Sequence, residues 1–136
     1  MKLHQLIAPL LAWAALSSCA QTQPPPPTAV EPEAARLARE LRTLIGPANC
    51  STDAQCRTVA VGAKACGGPG GYWAWSSAGT DETQLLDLAR RQAQAETIEN
   101  VRSGMRSTCN VAIDPGARCA AGRCELRQPA GPASVR

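Results

Sequence analysis

Apolar residues recur at three- and four-residue steps in two stretches of this chain and alternate in shorter ones, and that contrast predicts its elements. Over residues 32–45, Ala34, Leu37, Ala38, Leu41, Leu44 and Ile45 make one stripe, with Arg36, Arg39, Glu40 and Arg42 on other faces. Pro32 suits the first helical position, Glu33 suits the positive end of the helix dipole, and Gly46-Pro47 stops the helix. A second helix begins near Asp81, where Asp81 and Gln84 stand at capping-box spacing, and Gly104 ends it. Its apolar residues, Leu85, Leu86, Leu88, Ala89, Ala93, Ala95, Ile98 and Val101, drift around the axis and predict contact on more than one side.

Residues 57–61 alternate, with Val59 and Val61 on one side, and predict a strand. Residues 66–71 (Cys-Gly-Gly-Pro-Gly-Gly) break regular structure, and residues 72–77 resume it as a second strand. There Trp73 and Trp75 share one face and Tyr72 takes the other. Cys109, Val111 and Ile113 alternate as a third strand, Asp114-Pro115-Gly116 turns the chain, and residues 118–127 fold as a short hairpin about Gly122. Residues 50–56 read as a polar loop or a single helical turn. In outline the order is helix, two strands, helix, two strands: an α+β domain over residues 32–127, its antiparallel sheet covered on one face. The tail, 128–136, is rich in Pro, Gly and Ala and is expected to be loose.

The N-terminus follows another logic. Residues 1–5 carry one lysine, and an apolar run over residues 6–16 ends in small residues. Eleven apolar residues are about half of the roughly 20 that cross a bilayer, so the run reads as a secretory signal and not a permanent span. Leu16-Ser17-Ser18-Cys19 resembles the lipobox of bacterial lipoproteins. That resemblance implies removal of residues 1–18, acylation of Cys19, and, with Ala20 after the cysteine, sorting to the periplasmic face of the outer membrane. Multiple acyl chains give lasting attachment at about 0.8 kcal/mol per buried methylene. Ser18-Cys19-Ala20 also fits an ordinary signal-peptidase site that would release a soluble chain starting at Gln21. Residues 19–31 form a tether: Pro24, Pro25, Pro26 and Pro27 favour an extended helix of about 3.1 Å per residue, enough to hold the domain roughly 30 Å from its anchor.

Removing 18 of the 136 residues leaves 118, the size of one domain. Basic residues number 14 against 11 acidic, and loss of Lys2 leaves an excess of +2, which is scattered and argues against nucleic acid as partner. Of the seven cysteines, Cys19 stands apart. The even remainder, Cys50, Cys56, Cys66, Cys109, Cys119 and Cys124, predicts three disulfides in an exported chain, with 15 pairings open. The pairing expected here is Cys119 with Cys124 across the hairpin, Cys50 with Cys56, and Cys66 with Cys109 joining the halves. No C-x-x-C spacing and no mature histidine supports a metal site. The chain has no Phe and many alanines, so cross-links of about 2–4 kcal/mol each are expected stabilisers.

The single histidine, His4, leaves with the signal, which removes Ser-His and Cys-His catalysis from the mature chain. Glu96 and Glu99 share a helix face, a pairing that glycosidases use across a cleft, but an exposed helix makes them a solvated face. Gly67, Gly68, Gly70 and Gly71 lack the Lys-Ser/Thr of a phosphate loop, and no cofactor motif is present. Glycine there supplies positive φ beside a bridged cysteine. Tyr72, Trp73 and Trp75 are the only aromatics after cleavage, so at least one Trp must fill the core. With Gly67, Gly68 and Pro69 they form the candidate contact surface.

Cys66-Gly67-Gly68-Pro69, then Tyr72 and Trp75-Ser76, with the late Cys-x4-Cys, resembles a group of small exported bacterial proteins built on a C-G-G-P core. The resemblance implies a shared domain over residues 50–126 and carries over no catalytic residue. Together these features lead to the expectation of a non-enzymatic, lipid-anchored binding or interaction module, one form of which inhibits an envelope or foreign hydrolase. The other expectation is a structural envelope lipoprotein without a ligand. Mass spectrometry of the native chain should find Cys19 acylated, and should find the intact chain lighter than its reduced form by about six hydrogens.

Overall fold

The computed structural model describes residues 30–128. The expected signal, the tether up to residue 29 and the tail after Gln128 lie outside the described residues. Two helices and two antiparallel strand pairs follow in the expected order. No described helix is long and apolar enough to cross a membrane.

Helix α1, Glu33–Ile45, buries Ala34, Leu37 and Leu41 along the expected stripe and stops at Gly46, whose φ is 56°. Its exposed start is laced by ion pairs. Hydrogen bonds from Arg39 to Glu31 and from Arg36 to Glu33 hold both carboxyls below the usual carboxylate range. Helix α2, Glu82–Ser103, is capped by Asp81, whose Oδ1 accepts from the Gln84 N–H at 2.7 Å, and ends at the left-handed Gly104. It buries Leu85, Leu88 and Ala89, whereas Leu86, Ile98 and Val101 are exposed. The drifting stripe therefore corresponds to one covered face and an uncovered one.

Strands β1, Cys56–Val61, and β2, Gly71–Ser76, pair with Val59 opposite Trp73 and Arg57 opposite Trp75. Opposed residues share a face, so Val59, Val61, Trp73 and Trp75 turn together toward the helices. There Trp75, 2% exposed, joins Leu37, Leu41, Val59, Val61, Leu85, Leu88 and Ala89 in the main core. The opposite face carries Cys56 and Ala74 into a second cluster with Ala48, Cys124, Cys50, Ala117 and Cys119. That cluster is roofed by strands β3, Ala117–Ala120, and β4, Arg123–Leu126, joined through Ala121 and Gly122 at φ 48° and 79°. The sheet is therefore two separate ribbons, β1–β2 and β3–β4, each antiparallel.

The disulfides correct two of the three expected pairings. Cys50 bonds Cys119 and Cys56 bonds Cys124, while Cys66–Cys109 is as expected. Cys119 and Cys124 face each other across the hairpin and project from one side of it, toward the back of β1–β2. Each reaches the facing layer instead of its neighbour. In the chain-entropy account a bridge over 68 or 69 residues stabilises by about 4 kcal/mol, against about 2 for a bridge across a hairpin. Backbone bonds reinforce the seam: Cys50 N–H to Gly122 O at 2.9 Å and Cys124 N–H to Ala48 O at 2.8 Å.

The expected third strand is corrected as well. Residues 105–116 join no ladder among the described residues, and Val111 and Ile113 are each 83% exposed. The helices already cover the apolar face of β1–β2, so the alternation at 109–113 has no core to meet.

Trp75 is the largest side chain in the core, and its buried Nε1–H has no acceptor among the described residues. Trp75→Ala should lower unfolding free energy by about 3–5 kcal/mol. Trp75→Phe, which keeps a ring and removes the unpaired donor, should cost clearly less. Denaturant unfolding followed by circular dichroism checks both.

Candidate interaction surface

The loop from Gly62 to Gly70 is held by side chains of α2 that stand one helical turn apart. The Gly62 N–H donates to Gln92 Oε1 at 2.6 Å, the Ala63 N–H donates to Glu96 Oε2 at 3.0 Å, and Asn100 Nδ2 donates to Ala63 O at 2.8 Å. Gln92 is buried and gives its own N–H to Glu96 at 3.1 Å, so the ladder is internally satisfied. Helical residues at i, i+4 and i+8 stack on one face, which is why a single helix can grip successive groups of one turn. Gly62 sits at φ 71°, and a Cβ there would stand 2.7 Å from Glu96 Oε2. Glycine is needed both for the backbone angle and for the approach of the carboxylate.

Beyond this grip the loop closes on itself. The Lys64 N–H donates to Gly68 O at 3.0 Å and the Gly67 N–H to Lys64 O at 2.9 Å, with Gly67 and Gly68 at φ 95° and 79°. The positive φ expected beside the bridged Cys66 is present. Three ties then fasten residues 109–114 alongside. Cys66 bonds Cys109, Lys64 Nζ donates to Asn110 O and Oδ1 at 2.6 and 3.0 Å, and Thr58 Oγ1 donates to Asp114 Oδ2 at 2.6 Å. The result is a double loop. Cys66, Gly67, Gly68 and Pro69 face Cys109, Asn110, Val111 and Ala112 across a cleft of about 300 Å³. A second groove of about 570 Å³ separates the glycine loop from Leu86, Ala89, Arg90 and Ala93 of α2.

The structure divides the candidate surface residues. Gly67 and Gly68 are exposed and Pro69 is half-buried on the double loop. Tyr72 is half-buried on the hairpin side of β2, away from the tryptophans. Trp73 is half-buried under Arg42, whose guanidinium lies 3.9 Å from the ring centroid, a cation–π contact that covers one ring face. Trp75 is removed from the contact surface, because it is the centre of the core. In place of the tryptophans, Val111 and Ile113 carry the exposed apolar area, and the alternation that suggested a strand is the signal that marks them.

The carboxylate pair is corrected too. Glu96 and Glu99 are half-buried acceptors rather than a solvated face: Glu96 takes the Ala63 N–H and Glu99 takes the Ala34 N–H at 3.1 Å. They bind two different elements and do not face each other across a cleft. The six described cysteines are bridged and offer no thiol. The Sγ atoms of Cys50, Cys56 and Cys124 lie within 4.8 Å of one another, and their two disulfides account for that convergence. No protein-family profile, curated protein or solved structure matches this chain.

The double loop and the hairpin seam depend on different bridges, so they should separate on mutation. Cys66→Ser/Cys109→Ser should keep the circular dichroism spectrum and speed amide exchange in residues 64–69 and 106–114. Cys56→Ser/Cys124→Ser should instead lower global stability by about 2–5 kcal/mol in denaturant unfolding.

Proposed function

We propose that this chain is an exported, lipid-anchored interaction module, without catalysis of its own, whose contact surface is the double loop of residues 64–69 and 109–114. The observation that carries the reading is the exposure of Val111 and Ile113 on a segment locked by a disulfide and by two side-chain hydrogen-bond ties. Apolar side chains clustered on a braced segment make a patch of the kind that partners cover. Locking such a segment beforehand removes the ordering cost of binding. The partner class is an envelope or foreign hydrolase, inhibited by insertion of this rigid loop.

The likeness of Leu16-Ser17-Ser18-Cys19 to a lipobox supports the address, with the proline-rich tether between anchor and domain. The bridged cysteines suit an oxidising compartment. The alternative, a structural lipoprotein without a ligand, is separated from this reading by one variant.

Val111→Asn/Ile113→Asn changes only exposed side chains and should leave thermal stability within about 0.5 kcal/mol. Inhibition assays against lysozymes and peptidases, with cross-linking in intact cells, should show the parent chain inhibiting and the variant weaker by about tenfold or more. If the parent inhibits none and captures no partner, or if the variant equals it, the double loop is not a contact surface.

A further inference from the structure

Residues 105–116 run without a turn, a bend or a ladder partner, and Gly116 alone among them has a positive φ. The segment is extended backbone outside any sheet. Its side chains keep a strand's alternation: Val111 and Ile113 are each 83% exposed, whereas Ala112 between them is half-buried and lines the cleft opposite Gly67, Gly68 and Pro69. The N–H and C=O groups of Val111, Ala112 and Ile113 make no hydrogen bond among the described residues. Clamps stand on both sides of these three residues. Before them, Cys109 is bridged to Cys66 and Asn110 takes the Lys64 ammonium. After them, Asp114 accepts from Thr58 Oγ1 and from the Gly116 N–H.

The free backbone identifies what covers this segment. An extended chain with open donors and acceptors and every second side chain exposed is received by the edge of another sheet. Among hydrolases, peptidases take their substrates in this form, with one side chain in a specificity pocket. A glycosidase cleft is built on two carboxylates around a sugar ring, to which Val111 and Ile113 offer nothing. We infer that residues 109–113 occupy a serine peptidase cleft as a substrate would, with the Val111 side chain in the specificity pocket and the Val111–Ala112 peptide bond at the nucleophile. The inference rests on the double loop being the contact surface proposed above and names the class of hydrolase that it meets. Valine is small, aliphatic and uncharged, so it fits the small apolar pocket of an elastase-like enzyme.

The clamps turn a substrate into an inhibitor. When the peptidase serine oxygen bonds to the Val111 carbonyl carbon, the bond to the Ala112 nitrogen breaks, and that nitrogen leaves as an amine carrying the serine's proton. Val111 then stays two residues from the Cys66–Cys109 bridge, and Ala112 stays two residues from Asp114, which is tied to Thr58. The amine is therefore held near the acyl carbon and re-adds to it ahead of water, returning the proton to the serine oxygen and restoring the peptide bond.

The mature chain, with its bridges intact, is titrated against elastase, chymotrypsin, trypsin and a lysozyme, and an inhibition constant is measured for each. Elastase should be inhibited most strongly, and mass spectrometry should find at most one cut, at Val111–Ala112. Val111→Arg, at an exposed position that leaves the fold intact, should weaken inhibition of elastase by about thirtyfold or more and strengthen inhibition of trypsin by a similar factor. A general apolar contact would lose affinity for every target and gain none. Inhibition that does not move to trypsin overturns the inference, and so does rapid degradation of residues 105–116 by elastase. Inhibition of the lysozyme alone, weakened by Val111→Asn/Ile113→Asn, rejects the peptidase and keeps the double loop as a contact surface. Inhibition of none of the four also rejects the peptidase, and cross-linking in intact cells then decides the wider reading separately.

Discussion

Two antiparallel strands standing alone are marginal in water, so β1–β2 persists only because both of its faces are covered. The helices cover one face through Trp75, Val59 and Val61. The β3–β4 hairpin covers the other, and it is too small to stay there by apolar contact alone. Its buried contribution is mainly Cys124, with Cys119 and Ala117 partly covered. The two bridges Cys50–Cys119 and Cys56–Cys124 do that work, each closing most of the domain into a loop. Linking the hairpin to itself would have restrained only the hairpin and left the back of the ribbon open.

The same economy shapes the double loop. Four glycines within 62–68 and 70 leave it few apolar contacts, and its conformation is imposed from α2 by Gln92, Glu96 and Asn100. Polar side chains in a largely covered position are favourable here because each meets a backbone group that would otherwise lie unpaired. The helix thus has two separate tasks on two faces. Leu85, Leu88 and Ala89 fill the core, and the polar ladder beside them sets the loop. This also explains why α2 is longer than α1: its last two turns run past the core and serve the loop and the start of α1.

A domain without phenylalanine, whose aromatics among the described residues are Tyr72, Trp73 and Trp75, cannot supply both a core and an aromatic contact surface. The core takes Trp75 outright and half of Trp73. The exposed apolar area is then aliphatic, and it falls at Val111 and Ile113 on the double loop and around Ile98 and Met105 at the helix ends. Both patches lie toward the C-terminal half of α2, since Asn100 bonds the loop and lines the groove beside Val30.

The order of elements, both helices, the Asp81 cap, the Gly104 stop and the β1–β2 and β3–β4 strands were determined by local rules: helical and alternating periods, capping chemistry and turn residues act within a few positions and need no partner. The shared face of Trp73 and Trp75 followed from the same geometry. Tertiary structure alone decided which cysteines met, because pairing depends on where layers stack and not on spacing along the chain. It also decided that Glu96 and Glu99 accept backbone N–H groups, and that residues 109–113 stay unpaired. An alternating pattern records which side chains could share a face, but only the packed molecule determines whether any surface is left for that face to cover.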